Sequence, residues 1–591
     1  MKSIKKVLAL SLSVMLLISA CGKPADSPQP SQQEGFEIIY TPGTYSGTTS
    51  SFSGPLTVDV TVDESSIKDI KLTEFNDSVM VGDTAFETIS RDIMEHQSLK
   101  VDMVAGASIS SSAVIRAITD ALSKTGANID ALKAKEIVKA APGKLDLETD
   151  VVVVGSGLAG VSAAITAAEN GAKVMLLERL GRLGGTSALS AGWVHAAGTD
   201  IQEKNNVKDS AEKFYEDWMM LAERAKDEYV EPDMVKYITD HSAENIQWLI
   251  DHGVKMMDSI FAAGIYEGRN IPRIHQTEGG KGYIIKYLME DVNDLGIEVR
   301  VNTRATELIK EGDKVTGVKA VDKDGNEVTV KAKSVILASG GFAGNPEMMA
   351  KYYPQYTDYI NSSVNTGDTL AMGEGVGADI IVKNAAQIHH NLAADTSLGY
   401  FTPECIYVTP EGERYVDEAE YFYTRTRVLN EKGFGDTHMI IPQMLYDAHK
   451  EGIDKALETG KAFKTDTIEE LAQKMGMKPE VLKNTIDRYN EMVKAKKDTD
   501  FNKPSEYLYP IEAPYIGLDL TGNLNDTYVS LRINMNAQVI DKSGNVINGL
   551  YAVGAAASAQ TLNQEYIGSG SALLNGLTFG NVAGVHAAKN E

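Results

Sequence analysis

The chain has 591 residues, 43% hydrophobic and 24% charged, with a net charge of −25. This is ordinary globular composition with room for three or four domains, and its acidity excludes a nucleic-acid partner, which needs basic surface. Two cysteines exclude thiolate iron–sulfur clusters and C-x-x-C-H haem attachment, and ten scattered histidines give no ligand-spaced metal cluster.

Residues 1–21 are a targeting segment. Lys2, Lys5 and Lys6 precede an apolar run, Val7 to Ile18, too short to span a bilayer comfortably. Ile18-Ser19-Ala20-Cys21 resembles a bacterial lipobox, which implies lipid attachment at Cys21 and a place on the extracytoplasmic face of the cell membrane. Residues 22–36, rich in Pro, Ser and Gln, are expected to form a flexible tether. With Cys21 lipidated, Cys405 has no disulfide partner, so any redox cofactors must be flavins.

Residues 37–126 are expected to form a small α+β domain. Alternating residues such as Leu56, Val58 and Val60 mark short strands, and Ala113 to Leu122 is helical. Residues 127–147 make a charged, helical connector ending near Pro142-Gly143. The pattern then becomes strand, glycine turn, helix, strand: Val151–Val154 is a buried parallel strand, Val161–Asn170 a helix and Lys173–Glu178 a second strand. Further apolar strands, Ser334–Ala338 and Gly549–Val553, each run into glycine. The expected architecture is α/β: a Rossmann-type domain (148–383 and 516–591) interrupted by an α+β cap (384–515) with helices at 467–473 and 478–495.

Gly155, Gly157 and Gly160 form G-x-G-x-x-G between a strand and a helix, and Glu178 follows about twenty residues later. The first glycine makes the turn, the second admits a pyrophosphate, and the third lets the helix pack on the strand. The phosphates sit at the helix N-terminus and the acid accepts ribose hydroxyls.

Several later segments complete a family pattern: Arg182-Leu183-Gly184-Gly185-Thr186-Ser187, Asn302-Thr303, Ala338-Ser339-Gly340-Gly341-Phe342, Gly367-Asp368, Gly549 to Gly554, and Gly568 to Leu573. Over about 148–591 the chain resembles the fumarate reductase/succinate dehydrogenase flavoprotein family, especially its flavocytochrome-like and urocanate-reductase-like branch. The resemblance implies FAD, held by Gly155, Gly157, Ala159, Gly160, Glu178, Arg179, Gly184, Gly185, Thr186, Ser187, Gly340, Gly341, Asp368, Gly554, Ser571 and Leu573. It implies noncovalent FAD, because Thr186-Ser187-Ala188 stands where covalent members carry a His.

Asp102-Met-Val-Ala-Gly-Ala-Ser-Ile-Ser110 resembles the flavinylation motif of FMN-binding domains, which implies FMN attached covalently to Ser110 by a flavin transferase. Ala105 stands where the motif prefers Ser or Thr, and Ser111 and Ser112 are alternative acceptors.

Family members move a hydride between flavin and an activated C=C bond, with an Arg of the cap donating the proton. The segment Gly412 to Glu418 followed by AEYFYTRTR points to Arg425, with Arg427 as second choice and a substrate-binding candidate. His389 matches the family His that binds a substrate carboxylate. Asp526 and Glu565-Tyr566 replace the His and Arg segments with which fumarate reductases clamp a dicarboxylate, so fumarate is rejected as main substrate. Tyr566 with Gly570 resembles the ketone-binding pair of 3-ketosteroid dehydrogenases, and Tyr421 and Tyr423 are candidate stacking walls. The expected function is reduction of a small-molecule alkene, an aryl-acrylate, urocanate-like acid or enone, with electrons from a membrane donor passing through FMN to FAD. A ketosteroid-type enzyme and a non-catalytic electron carrier are the alternatives.

Overall fold

The computed structural model describes residues 38–590, except 357–358, 362, 393–395 and 400. Cys21, the lipobox and the tether lie outside the described residues.

The N-terminal domain is a three-stranded antiparallel sheet, β1 (Gly43–Ser50), β2 (Pro55–Val62) and β3 (Ile67–Phe75), in sequential order. On β2 the even residues Leu56, Val58, Val60 and Val62 are all buried, as period-2 alternation requires. They pack on α1 (Gly82–His96) and α2 (Ser108–Ser123), so the helix begins earlier than its apolar pattern. The connector is helical only in α3 (Ile129–Ala134), where Leu132 plugs this same core; from Lys135, already extended, to Gly143 it has no regular structure.

From Lys144 the chain is already β4 (Lys144–Val154), the middle of an eight-stranded sheet. Parallel neighbours flank it: Val151 pairs with Val174 of β5 (Val174–Leu177), and Leu337 of strand Glu327–Leu337 pairs with Val154. All four valines at 151–154 are buried in the main core; each such burial is worth about 2 kcal/mol. Helix α4 (Leu158–Glu169) packs along the last helix, Ser571–Lys589. Small residues allow that closeness: a Cβ at Gly580 or Gly584 would lie 2.7 Å from the Ala159 or Ala163 carbonyl.

A second sheet builds the cap from strands that include Ala386–Leu392, Ile406–Val408, His438–Ile441, Ala462–Thr465 and Tyr515–Thr527. Its long central strand runs past residue 515, the expected cap boundary, to Thr527. That overrun carries Asn525 and Asp526 from the cap into the cleft between the two layers. The helices expected at 467–473 and 478–495 are Ile468–Lys474 and Pro479–Ala495.

Candidate active site

One cleft of about 680 Å³ runs from the tip of β4 to the cap. Its inner half is the dinucleotide cradle. Gly155 ends β4 at φ +106°, and a Cβ there would lie 2.5 Å from the Ala338 carbonyl, so only glycine permits this turn. The N-terminus of α4 opens onto the cleft; its Leu158 N–H donates to the Ser187 hydroxyl at 3.0 Å, and the first turn around Gly157 and Ala159 faces the place where a pyrophosphate would lie. Glu178 sits at the tip of β5 and lines the cleft; it accepts from the Ser156 N–H (3.0 Å), the Ser156 hydroxyl (2.6 Å) and the Leu180 N–H (2.7 Å). These bonds hold the carboxylate beside the glycine loop.

Gly157, Ala159, Arg179, Gly185, Thr186, Ser187, Gly340, Asp368, Gly554 and Leu573 also line the cleft. Four expected FAD residues stand behind that lining. Gly160 meets β4 backbone, Gly184 donates to the Ser156 hydroxyl at 3.0 Å, Gly341 abuts Thr527, and Ser571 bonds His195 at 2.9 Å. They shape the cradle from outside. The donor set therefore fits an FAD: anion-binding N–H groups, a ribose-facing acid and an apolar floor.

The outer half is a hydrogen-bonded cluster of Gln387, His389, Tyr423, Asn525, Asp526 and Tyr566, all facing the cleft. The Tyr423 oxygen accepts from Gln387 Nε2 (2.8 Å) and Asn525 Nδ2 (3.2 Å). With both lone pairs occupied, its own proton is directed elsewhere. Tyr566 lies with its ring centroid 5.0 Å from that of Tyr423, and its oxygen accepts from the Ala572 N–H at 2.9 Å. Burial raises both phenols above their ordinary range, which keeps them as O–H donors. Tyr566 holds φ +29°, a conformation that side chains rarely adopt. Gly570 caps the last helix at φ +98° and lines the cleft; a Cβ there would lie 2.7 Å from the Trp193 carbonyl.

Asp526 is half-buried at the cleft wall, and loss of solvent around its carboxyl lifts it to about 7 against the Thr527 N–H that lowers it. His389 is pushed down to about 3, first by burial and then by the neighbouring charge of His390. It is a neutral imidazole; Asn525 Nδ2 lies 3.0 Å from its Nδ1, which puts the ring proton on Nε2. His389 is thus a neutral polar donor at the cleft.

Neither candidate arginine lines the cleft. Arg425 is buried behind the lining: Nη1 donates to the Glu418 carbonyl at 2.9 Å and the guanidinium stacks on Tyr407 at 4.4 Å. Arg427 donates from Nε to Glu565 at 2.7 Å and pairs with Glu431. Arg425 lies about 200° round helix Phe422–Glu431 from Tyr423 and so points away from the cleft, whereas Arg427, about one turn beyond Tyr423, is drawn aside by Glu565. Tyr421 bonds Ser569 and carries Arg269 on its ring, so it supports the wall from behind. Sequence reading missed the bonding roles of Gln387 and Asn525; only their place beside His389 and Asp526 pointed to them.

In the N-terminal domain Ser110 lies in the first turn of α2, its hydroxyl donating to Asp77 at 2.7 Å. Ser111 accepts from the Val104 N–H and Ser112 from Arg116. The uncapped α2 N-terminus suits a phosphoester at Ser110.

Comparison with known proteins agrees. An FAD binding domain model matches residues 150–572 and an FMN-binding domain model residues 51–123. The chain is 33% identical to the urocanate reductase of Eggerthella lenta, over 92% of each chain. It is 29% identical to the NADH:acrylate oxidoreductase of Vibrio harveyi over 97% of its own length, spanning 64% of that longer protein. Among solved structures, the open conformation of a flavocytochrome c3 fumarate reductase matches with TM-score 0.61 and 30% identity, covering 76% of this chain and 79% of the other. The chain belongs to the fumarate reductase flavoprotein family, as an FAD-dependent oxidoreductase of C=C bonds with an FMN-binding domain ahead of its FAD-binding domain.

Proposed function

We propose that this oxidoreductase reduces a monocarboxylic enoate or an enone at the membrane's outer face. Cys21 would anchor it there, and a membrane donor would feed electrons through FMN to FAD. The observation that carries the substrate class is the cluster of Gln387, His389, Tyr423, Asn525 and Tyr566, whose side chains face the cleft with hydrogen-bond donors and, among the described residues of that cluster, no cation. A dicarboxylate needs cationic clamps at both ends; a single carbonyl or carboxyl needs only donors.

When bound and reduced, FAD supplies the hydride for one alkene carbon. The side chains do the rest. Tyr566 and the backbone at Gly570 polarise the substrate carbonyl. Tyr423 gives its proton to the other carbon, and the Gln387 and Asn525 N–H groups already on its oxygen stabilise the phenolate left behind. The ring of Phe422 adds an apolar wall that keeps water out.

The test is anaerobic. Dye-reduced protein is mixed with urocanate, cinnamates, fumarate and an enone steroid, and flavin reoxidation is followed. Rapid reoxidation by one monocarboxylic enoate or enone is expected; fastest reoxidation by fumarate would sink the proposal. The steroid arm separates the ketone-binding reading of Tyr566 and Gly570 from the enoate one.

A further inference from the structure

The acceptor Ser110 is only 2% exposed, and the segments on both sides of it are pinned to the other domain. On one side, the Gly181 N–H donates to the Ala105 carbonyl at 3.1 Å, and Arg182 Nε donates to the Gly106 carbonyl at 2.9 Å. Arg182 is 1% exposed, and its Nη1 binds the Leu183 and Gly185 carbonyls at 3.2 Å, so its position is fixed by the FAD loop. On the other side, Asp77 covers the Ser110 hydroxyl from the connection 76–81. Met80 of that connection packs against the FAD-domain core, and the Val79 carbonyl lies where a Cβ of Gly282 would come within 2.5 Å. Backbone meets backbone at both ends of the seam.

We propose that docking of the FMN-binding domain on the FAD-binding domain gates flavin attachment at Ser110, with Arg182 as the positioning residue that holds the seam shut. This rests on the assignment of Ser110 as acceptor. Attachment joins Ser110 Oγ to the FMN phosphorus of a flavin dinucleotide, breaks its P–O bond to AMP, and releases the hydroxyl proton to water. The transferase must reach an oxygen that Asp77 covers, so the connection 76–81 must lift from Gly282 first. The product phosphodiester is anionic and cannot share that oxygen with the Asp77 carboxylate. Modification therefore precedes the final closing of the seam.

The full chain, produced without flavin transferase and loaded with FAD at its own site, is incubated with transferase, Mg²⁺ and FAD. Covalent flavin is read as fluorescence of the denatured chain, and amide exchange is followed at 76–81 and 151–177. Arg182→Gln removes the charged donor to Gly106; Gly181→Val drives a side chain into Val104, which already lies 2.9 Å from a Cβ there. Loss of such a bond opens the seam about tenfold more often, so both variants should take up flavin about tenfold faster. Exchange should rise at 76–81 and stay unchanged at 151–177, and Arg182→Lys should restore much of the slow rate. Unchanged or slower uptake in both variants, with FAD content intact, overturns the gate. Flavin on Ser110→Ala overturns instead the assignment of Ser110.

Discussion

Arg269 grips Glu565 and, with the same nitrogen, the backbone of the next residue: Nη2 donates to Glu565 Oε2 at 3.0 Å and to the Tyr566 carbonyl at 3.1 Å. Glu565 is fully buried and also binds Arg224, Arg427 and the Thr424 hydroxyl. This knot joins the FAD domain to the cap and holds Tyr566 at its positive φ.

Burial alone would raise the Glu565 carboxyl, but the Arg224 and Arg269 guanidiniums hold it down at about 2. A depressed folded pKa gives stability that is present above the ordinary 4.5 and lost as pH falls towards 2. Glu565→Ala takes a partner from three arginines and leaves the buried Arg269 without its carboxylate, and should cost about 3–5 kcal/mol. Urea denaturation at pH 7 measures that loss, and a stability change below 1 kcal/mol on the same scale would show the knot to be ornamental.

Gly155→Ala should yield folded protein without FAD. The new methyl would meet the Ala338 carbonyl at 2.5 Å and hold φ +106°, which non-glycine residues avoid. The flavin absorbance of the purified variant decides the matter.

Asp526 supplies a pH signature. Its folded carboxyl titrates at about 7, above the ordinary 3.8, so the folded state keeps the proton between those values. Stability from this group therefore falls as pH rises from 3.8 to 7, and the neutral donor disappears above 7. Turnover should decline on that alkaline limb, and Asp526→Asn should flatten both the activity and the stability slopes.

The flavin cradle was legible because its signals are local. Gly155, Gly157, Gly160 and Glu178 lie on consecutive elements, and their spacing alone encodes the turn, the helix start and the next strand tip. The cap was harder to read. Arg425 and Arg427 were placed by their offset from the Gly412–Glu418 segment, but which side chains of Phe422–Glu431 meet the cleft depends on partners such as Asn525, 102 residues from Tyr423 in sequence. The bond from Arg182 to Gly106 was equally invisible, because it joins two domains whose motifs are complete without it.

The contrast between Tyr423 and Arg425 follows from that geometry. Tyr423→Phe removes the one hydroxyl proton that two N–H donors leave directed elsewhere, and should lower kcat about 10²–10⁴-fold with FAD retained. Tyr566→Phe should raise KM as well, since its hydroxyl binds the carbonyl. Arg425→Lys keeps a charge beneath Tyr407, behind the cleft lining, so its main effect should be on thermal unfolding. Rates and unfolding temperatures of the three variants, measured with one substrate, separate a phenol acid from a guanidinium acid. Loss of turnover in Arg425→Lys with Tyr423→Phe fully active would return the proton to the arginine.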